Sequence, residues 1–277
     1  MTGLPGDESD QPELFPFRIE CFTEAKDPAK PGCNEDFWGF NSTTVVLSDG
    51  ATAKGDAIDV AGLSGGRMAS QIVTETCLNN DTHGQQLVIS ANTAFHSFYQ
   101  ANGVESQNPL NRVAASLLCV RIDRNSLIIT QVNNSGFRIN GGNPYVQETV
   151  CDILHAYTRA EYIRLTGDTI GAREFILPML QKQLFAYQNN ADHPLGYGVI
   201  DGTETPGIFT RTYRIPLSTV DTLELFTDGY PMLPSGTTIQ DWETAYAYVQ
   251  RNDPNRCLDF PATKIADDRT VLILRRK

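Results

Sequence analysis

Residues Thr44–Ala51 read TVVLSDGA, and residues Leu223–Tyr230, in a remote part of the chain, read LELFTDGY. Each is a strand-like apolar run that stops at a hydroxyl residue, an aspartate and a glycine. Working outward, similar β-branched and apolar runs occur at Pro16–Phe22 (PFRIECF), Ala114–Ile122 (AASLLCVRI), Ser126–Val132 (SLIITQV), Phe137–Asn140 (FRIN), Thr212–Leu217 (TYRIPL) and Arg269–Arg275 (RTVLILR). Asp123-Arg124-Asn125 has turn composition, and Gly141-Gly142-Asn143-Pro144 separates FRIN from YVQETV, so both joints are expected to be hairpins. Apolar residues at helical spacing predict helices over Gly65–Asn79, Gln85–Gln100 and Asp168–Tyr187, with a further helical stretch near Trp242–Val249. Blocks of strands punctuated by helices, rather than strict βαβ alternation, predict an α+β fold with antiparallel sheets covered by helices.

The chain has 277 residues, within reach of a single domain with a sizeable core. Its 22 basic residues against 33 acidic ones give a formal net charge of −11, which argues against nucleic acid or an anionic membrane as partner. Residues 1–16 are Pro-, Gly- and acid-rich, lack a basic region followed by an apolar one, and are expected to form a flexible acidic tail ahead of one domain over 17–277. No window is long and apolar enough for a membrane span. The six cysteines are dispersed without a C-x-x-C pair, several of them inside apolar runs, as expected for reduced core thiols in a cytoplasmic protein.

Acids mark four strand ends: Asp49 after TTVVLS, Asp228 after TLELFT, Asp267 and Asp268 before RTVLIL, and Glu35-Asp36 before FWGF. Asp-Gly alone reads first as a hairpin turn, and Asp201-Gly202 in VIDGTE is expected to be one. Four ends in agreement suggest convergence. Carboxylates gathered without basic partners raise one another's pKa, and such a site is stable mainly when cations fill it. Hard Mg²⁺ or Mn²⁺ ions take oxygen ligands, and two ions about 3.5–4 Å apart can share one aspartate. A glycine after that aspartate lets its own carbonyl approach an ion. The four histidines are scattered singly and form no competing cluster.

The ordered set NEDFWG, VVLSDGATAKG with GGRMAS behind it, AASLLCVRI with LIITQVNNSGFRI, LELFTDG and ADDRTVLIL resembles the metal-dependent serine/threonine protein phosphatases of type 2C, and most of all their divergent bacterial members. The resemblance implies a four-layer αββα sandwich: two antiparallel β-sheets packed face to face with helices on the outer faces. It implies two Mn²⁺ or Mg²⁺ ions, with Asp49 bridging both, the Gly50 carbonyl on one, and Asp228 and Asp267 on the other. Glu35 and Asp36 would bind directly or through metal-bound waters. A water bridging the ions would attack a phosphoserine or phosphothreonine, on a phosphoprotein made by a serine/threonine kinase.

Three positions depart from the family pattern. Asn134 stands where members carry an acid for a third ion, so that site is expected to be lost. Pro31 replaces a phosphate-gripping arginine, and Lys30 beside it is a candidate substitute. Ala51 stands where some members carry a histidine as proton donor. Two other readings remain open: a pseudophosphatase that binds a phosphoprotein without efficient turnover, and a serine esterase built on Ser64 in the G-x-S-x-G match Gly62–Gly66.

Overall fold

The structure, a computed structural model, describes residues 13–14, 16–55, 59–60 and 62–277. Most of the acidic tail expected over 1–16 lies outside the described residues. Of that segment, Glu13–Leu14 (β1) pairs antiparallel with the start of Phe17–Glu24 (β2). The chain continues through Phe37–Phe40 (β3), Thr44–Ser48 (β4), Asp59–Val60 (β5), Leu63–Ser64 (β6), Gly65–Leu78 (α1), Gln85–Asn102 (α2), Leu117–Asp123 (β7), Ser126–Val132 (β8) and Gly136–Ile139 (β9). It ends with Val150–Thr166 (α3), Gly171–Ala186 (α4), Arg211–Pro216 (β10), Thr222–Phe226 (β11), Ile239–Asn252 (α5) and Arg269–Arg276 (β12).

Two five-stranded antiparallel sheets carry the fold, in the orders β1-β2-β12-β11-β9 and β10-β8-β7-β4-β3. The strands read as unbroken apolar runs because both faces are buried, and the period of two then sorts side chains between layers. Val45 and Leu47 of β4, Leu118 and Val120 of β7, and Leu272 and Leu274 of β12 meet between the sheets in one cluster. Their neighbours Val46, Leu117 and Cys119 point outward against Val73, Cys77, Leu87 and Phe95 of α1 and α2. On the other sheet Val271 and Ile273 pack on Trp242 of α5. Helices α1, α2 and α5 thus form the outer layers of the predicted sandwich. The pair α3–α4 packs on itself and flanks one end of it.

Several local expectations change. YVQETV is not a returning strand: only an isolated bridge joins Tyr145 to Phe137, and α3 begins at Val150. The helix expected over Asp168–Tyr187 starts at Gly171, after Gly167 closes α3 in a left-handed conformation (φ 73°). At the other joint Asp123 pairs with Ser126, so Arg124 (φ 54°) and Asn125 alone make the β7–β8 turn. Asp201-Gly202 joins no two strands; Asp201 is buried and accepts hydrogen bonds from Arg112, Gln188, Asn189 and Thr203. All six cysteines are free. Among the described residues no helix is long and apolar enough to cross a membrane.

Because Leu272 is fully buried between the sheets, Leu272→Ala is expected to lower the unfolding free energy by about 2–5 kcal/mol. Urea denaturation with an unchanged m-value checks this.

Candidate active site

The ends of β4, β7, β9, β11 and β12 meet at one edge of the sandwich, and hydroxyl groups fix how they meet. Ser116, just before β7, ties down the β4 end through one backbone and one side-chain bond: Ser116 N–H donates to the Asp49 carbonyl (2.9 Å), while Asp49 N–H donates to Ser116 Oγ (2.9 Å). Ser116 Oγ also lies 2.6 Å from Ser135 Oγ, at the entry to β9 in the other sheet. A second clasp crosses the sheets through Asp36, whose Oδ2 accepts from Thr227 Oγ1 (2.9 Å) and Thr270 Oγ1 (2.7 Å). Gly50 lets the β4 end lie against the start of α1, since a Cβ there would collide with the Gly66 carbonyl. Gly229 likewise lets the β11 end lie close to the Asp268 carbonyl at the start of its neighbour β12.

A cleft of about 760 Å³ opens at this edge. Asp49, Gly50, Asp228, Asp267 and Asn134 line it, with α3 and α4 forming part of its wall. Three of the acids predicted from strand ends therefore reach one cavity. Glu35 and Asp36 lie behind it, 4% and 2% exposed. Lys30 does not line the cleft; it is exposed and faces Asp27 at 3.5 Å.

The carboxylates feel burial and one another. Burial, then the charges of Asp36, Asp228 and Asp267, push Asp49 well above the ordinary aspartate value. Asp36 is pushed up to about 8, chiefly by burial, with Asp267 and Asp268 adding to it against the bonds from Thr270 and Thr227. Its Oδ1 is buried without a partner. Burial also raises Asp267, although Lys264 opposes the rise.

Lysines that no motif signals partly offset this charge. Lys264 Nζ lies 2.6 Å from Asp267 Oδ1, and despite burial its pKa is raised by Asp267, Asp228 and Asp49. Lys26 Nζ lies 2.5 Å from Glu35 Oε2 and 3.3 Å from Asp268 Oδ2. Thr52 (2.5 Å) and Ser64 (2.8 Å) also donate to Glu35, and with Lys26 they hold it below the ordinary range against the cost of burial. Asp268, named in sequence only as a neighbour of Asp267, accepts from the backbone N–H groups of Lys26 and Glu35 and so joins two strand ends. Ser64 caps α1 through the Arg67 N–H. It ends the two-residue strand β6 and bonds Glu35, with no histidine partner, unlike a nucleophile elbow.

As the side chains stand, no group of three or more His, Cys, Asp or Glu among the described residues forms a ready-made metal cage. Asp267 is drawn to Lys264, and Asp228 Oδ2 accepts a bond from Asn134 Nδ2 (2.6 Å). The donor chemistry nevertheless fits hard divalent cations. It offers carboxylate oxygens that repel one another, a buried Asp36 oxygen lacking any partner, and a glycine whose backbone lies open at the cleft. Holding an ion requires Lys264 and Asn134 to yield.

This fold is that of bacterial serine/threonine phosphatases. A structure of a bacterial serine phosphatase superposes with a TM-score of 0.54 at 15% identity, covering 94% of this chain and 98% of the other. The serine/threonine phosphatase Stp1 from Staphylococcus aureus gives 0.53 at 15% identity over 99% and 100% of the chains. The catalytic domain of the phosphatase PstP, solved in complex with 2 manganese ions, gives 0.51 at 13% identity over 94% and 97%. No protein-family model matches the chain, and no curated protein matches it in sequence.

The raised carboxyl groups set a pH dependence. Asp36 keeps its proton up to about 8 in the folded chain but loses it near 3.8 when unfolded. The folded state then binds more protons across that window, so the metal-free protein is expected to lose stability as pH rises from about 4 to about 8. Asp49 and Asp267 act with the same sign. Asp36→Asn should flatten the slope, as read by urea midpoints taken in EDTA at a series of pH values.

Proposed function

We propose that this protein is a phosphoprotein phosphatase that hydrolyses phosphoserine or phosphothreonine with two Mn²⁺ or Mg²⁺ ions. One observation carries the reading: Asp49, Asp228 and Asp267, from three remote strand ends, line one cleft in a fold shared with such phosphatases. Asp49, Asp228, Asp267 and the Gly50 carbonyl would hold the ions. Asp36 would help from behind through its unpartnered Oδ1, and Glu35 through metal-bound water. The ions, when bound, supply activation of water and neutralisation of charge at phosphorus.

The chain's own residues supply the rest. Thr227 and Thr270 orient Asp36 from the opposite sheet, and Ser116 fixes the Asp49 backbone. Lys264 releases Asp267 for the ion and stays in the cleft as a positive charge near the anionic substrate. Val146, Ile153, Leu180, Leu184, Phe226 and Tyr230 form an apolar wall that accepts side chains flanking the phosphorylated residue and keeps water from it. Asn134 donates to Asp228 as an uncharged amide, which supports two ions rather than three. A phosphoprotein made by a serine/threonine kinase is the partner this reading implies.

The protein is expected to hydrolyse p-nitrophenyl phosphate and a phosphothreonine peptide in Mn²⁺ and to stop in EDTA. Asp49→Asn and Asp228→Asn should each lower turnover by more than about 100-fold, since losing a direct ligand outweighs the 10–100-fold typical of residues one step removed. Ser64→Ala should leave Mn²⁺-dependent turnover in place. Absence of turnover with metal demonstrably bound would favour a phosphoprotein-binding role instead.

A further inference from the structure

Pro31 leaves the cleft without the arginine that grips phosphate in the family this sequence resembles, and Lys30 points elsewhere. The cleft wall holds three other arginines: Arg112, Arg173 and Arg256. Arg112 is committed to the Ser106 carbonyl and to Asp201, and Arg173 Nη1 to the Thr263 carbonyl. Arg256 differs. Its Nε donates to the Phe260 carbonyl (2.8 Å), while no hydrogen bond within the described residues engages either Nη. Arg256 is 8% exposed overall and lines the cleft, and its Nη atoms, engaged by no such bond, are not sealed in the interior.

The segment carrying Arg256 is rigidly built. Asp253, which ends α5 and is 1% exposed, accepts from the N–H groups of Cys257 (2.9 Å), Leu258 (2.8 Å) and Phe260 (3.0 Å). From α3, the buried Arg159 donates through Nη1 to the carbonyls of Asn255, Arg256 and Ala262, each at 3.1 Å. Arg256 itself sits at φ 50°, a left-handed conformation that a non-glycine residue keeps only where its surroundings dictate it. Two buried charged side chains and a strained backbone thus hold one guanidinium in a cavity shared with Asp228 and Asp267, and the loop runs on directly into Asp267. A guanidinium held by Nε with its Nη atoms free presents donors at the spacing of two phosphate oxygens.

We propose that Arg256 binds the phosphoryl group of the substrate, in the role that Pro31 leaves vacant. This rests on the phosphatase reading given above. It makes Asp253 and Arg159 positioning residues for that contact.

The test compares the full-length wild type with Arg256→Gln and Arg256→Lys in saturating Mn²⁺. It measures KM for a phosphothreonine peptide and inhibition by inorganic phosphate. In parallel, calorimetric titration of phosphate into the Mn²⁺-loaded proteins reads binding without turnover. Arg256→Gln is expected to raise KM and weaken phosphate binding about 10- to 100-fold, the effect of losing a charge-assisted bidentate contact. Arg256→Lys, which keeps the charge but not the fork, should recover only part of this and serves as the reading if the glutamine variant fails to fold. Unchanged phosphate binding in a folded variant, or no phosphate binding by the wild type, overturns the proposal. A wild type that binds phosphate but does not turn over overturns the phosphatase reading alone, and the calorimetric comparison still decides on Arg256.

Discussion

A carboxylate that leaves water must be repaid by hydrogen bonds or by positive charge, and this molecule gathers several such carboxylates where its two sheets meet. Asp36 shows the constraint most plainly. Its backbone leads into β3 of one sheet, yet its Oδ2 is held by hydroxyls of Thr227 and Thr270 from the other. Asp36 Oδ1 remains unpartnered, and the carboxyl is pushed toward its neutral form. The same edge brings Asp49 and Asp267 into each other's field. The sheet-to-sheet junction and the candidate chemistry are therefore one structure.

The lysines show how the fold tolerates that concentration of charge. Lys264 sits against Asp267, and Lys26 bridges Glu35 and Asp268. The acids divide accordingly. Glu35 and Asp268, locked by Lys26, Thr52 and backbone N–H groups, act as struts between strand ends. Asp49, Asp228 and Asp267 line the cleft, the last two tied to Asn134 and Lys264, and in the proposed reading they meet a cation directly while Glu35 acts only through water. An acidic chain of net charge −11 gains a local cationic rim in the cleft from Lys264, Arg173 and Arg256, which suits an anionic phosphoryl group better than the overall charge suggests.

The strand ends were legible in the sequence because burial on both faces leaves long apolar runs, and an acid that ends such a run stands out. Asp49, Asp228 and Asp267 were found that way. Helix α3 is not legible because its large apolar residues Val150, Ile153, Leu154 and Tyr157 are exposed, while its buried stripe is built mostly of Cys151, Ala156, Arg159 and Ala160, and because Gly141–Pro144 resembles a hairpin turn. Lys26 and Arg256 were hidden for a different reason. Asp268, a partner of Lys26, lies across the fold, and Arg256, whose own side-chain bond is local to Phe260, is set in the cleft by Arg159 of a distant helix; neither TEAKD nor DPNRC carries a periodicity or spacing that reports such contacts. Lys264 had a faint local signal, three residues before Asp267 in KIADD, which has meaning only once Asp267 is known to be buried.

If these clustered carboxylates hold divalent cations, calorimetry of metal binding reads it without any turnover. Mn²⁺ titrated into metal-free protein near neutral pH, in buffers of different ionisation enthalpy, should bind at two sites and release protons, because Asp36, pushed up to about 8, holds its proton there in the metal-free fold and Asp49 is shifted in the same direction. No saturable binding, or binding that persists unchanged in Asp49→Asn, would contradict the account.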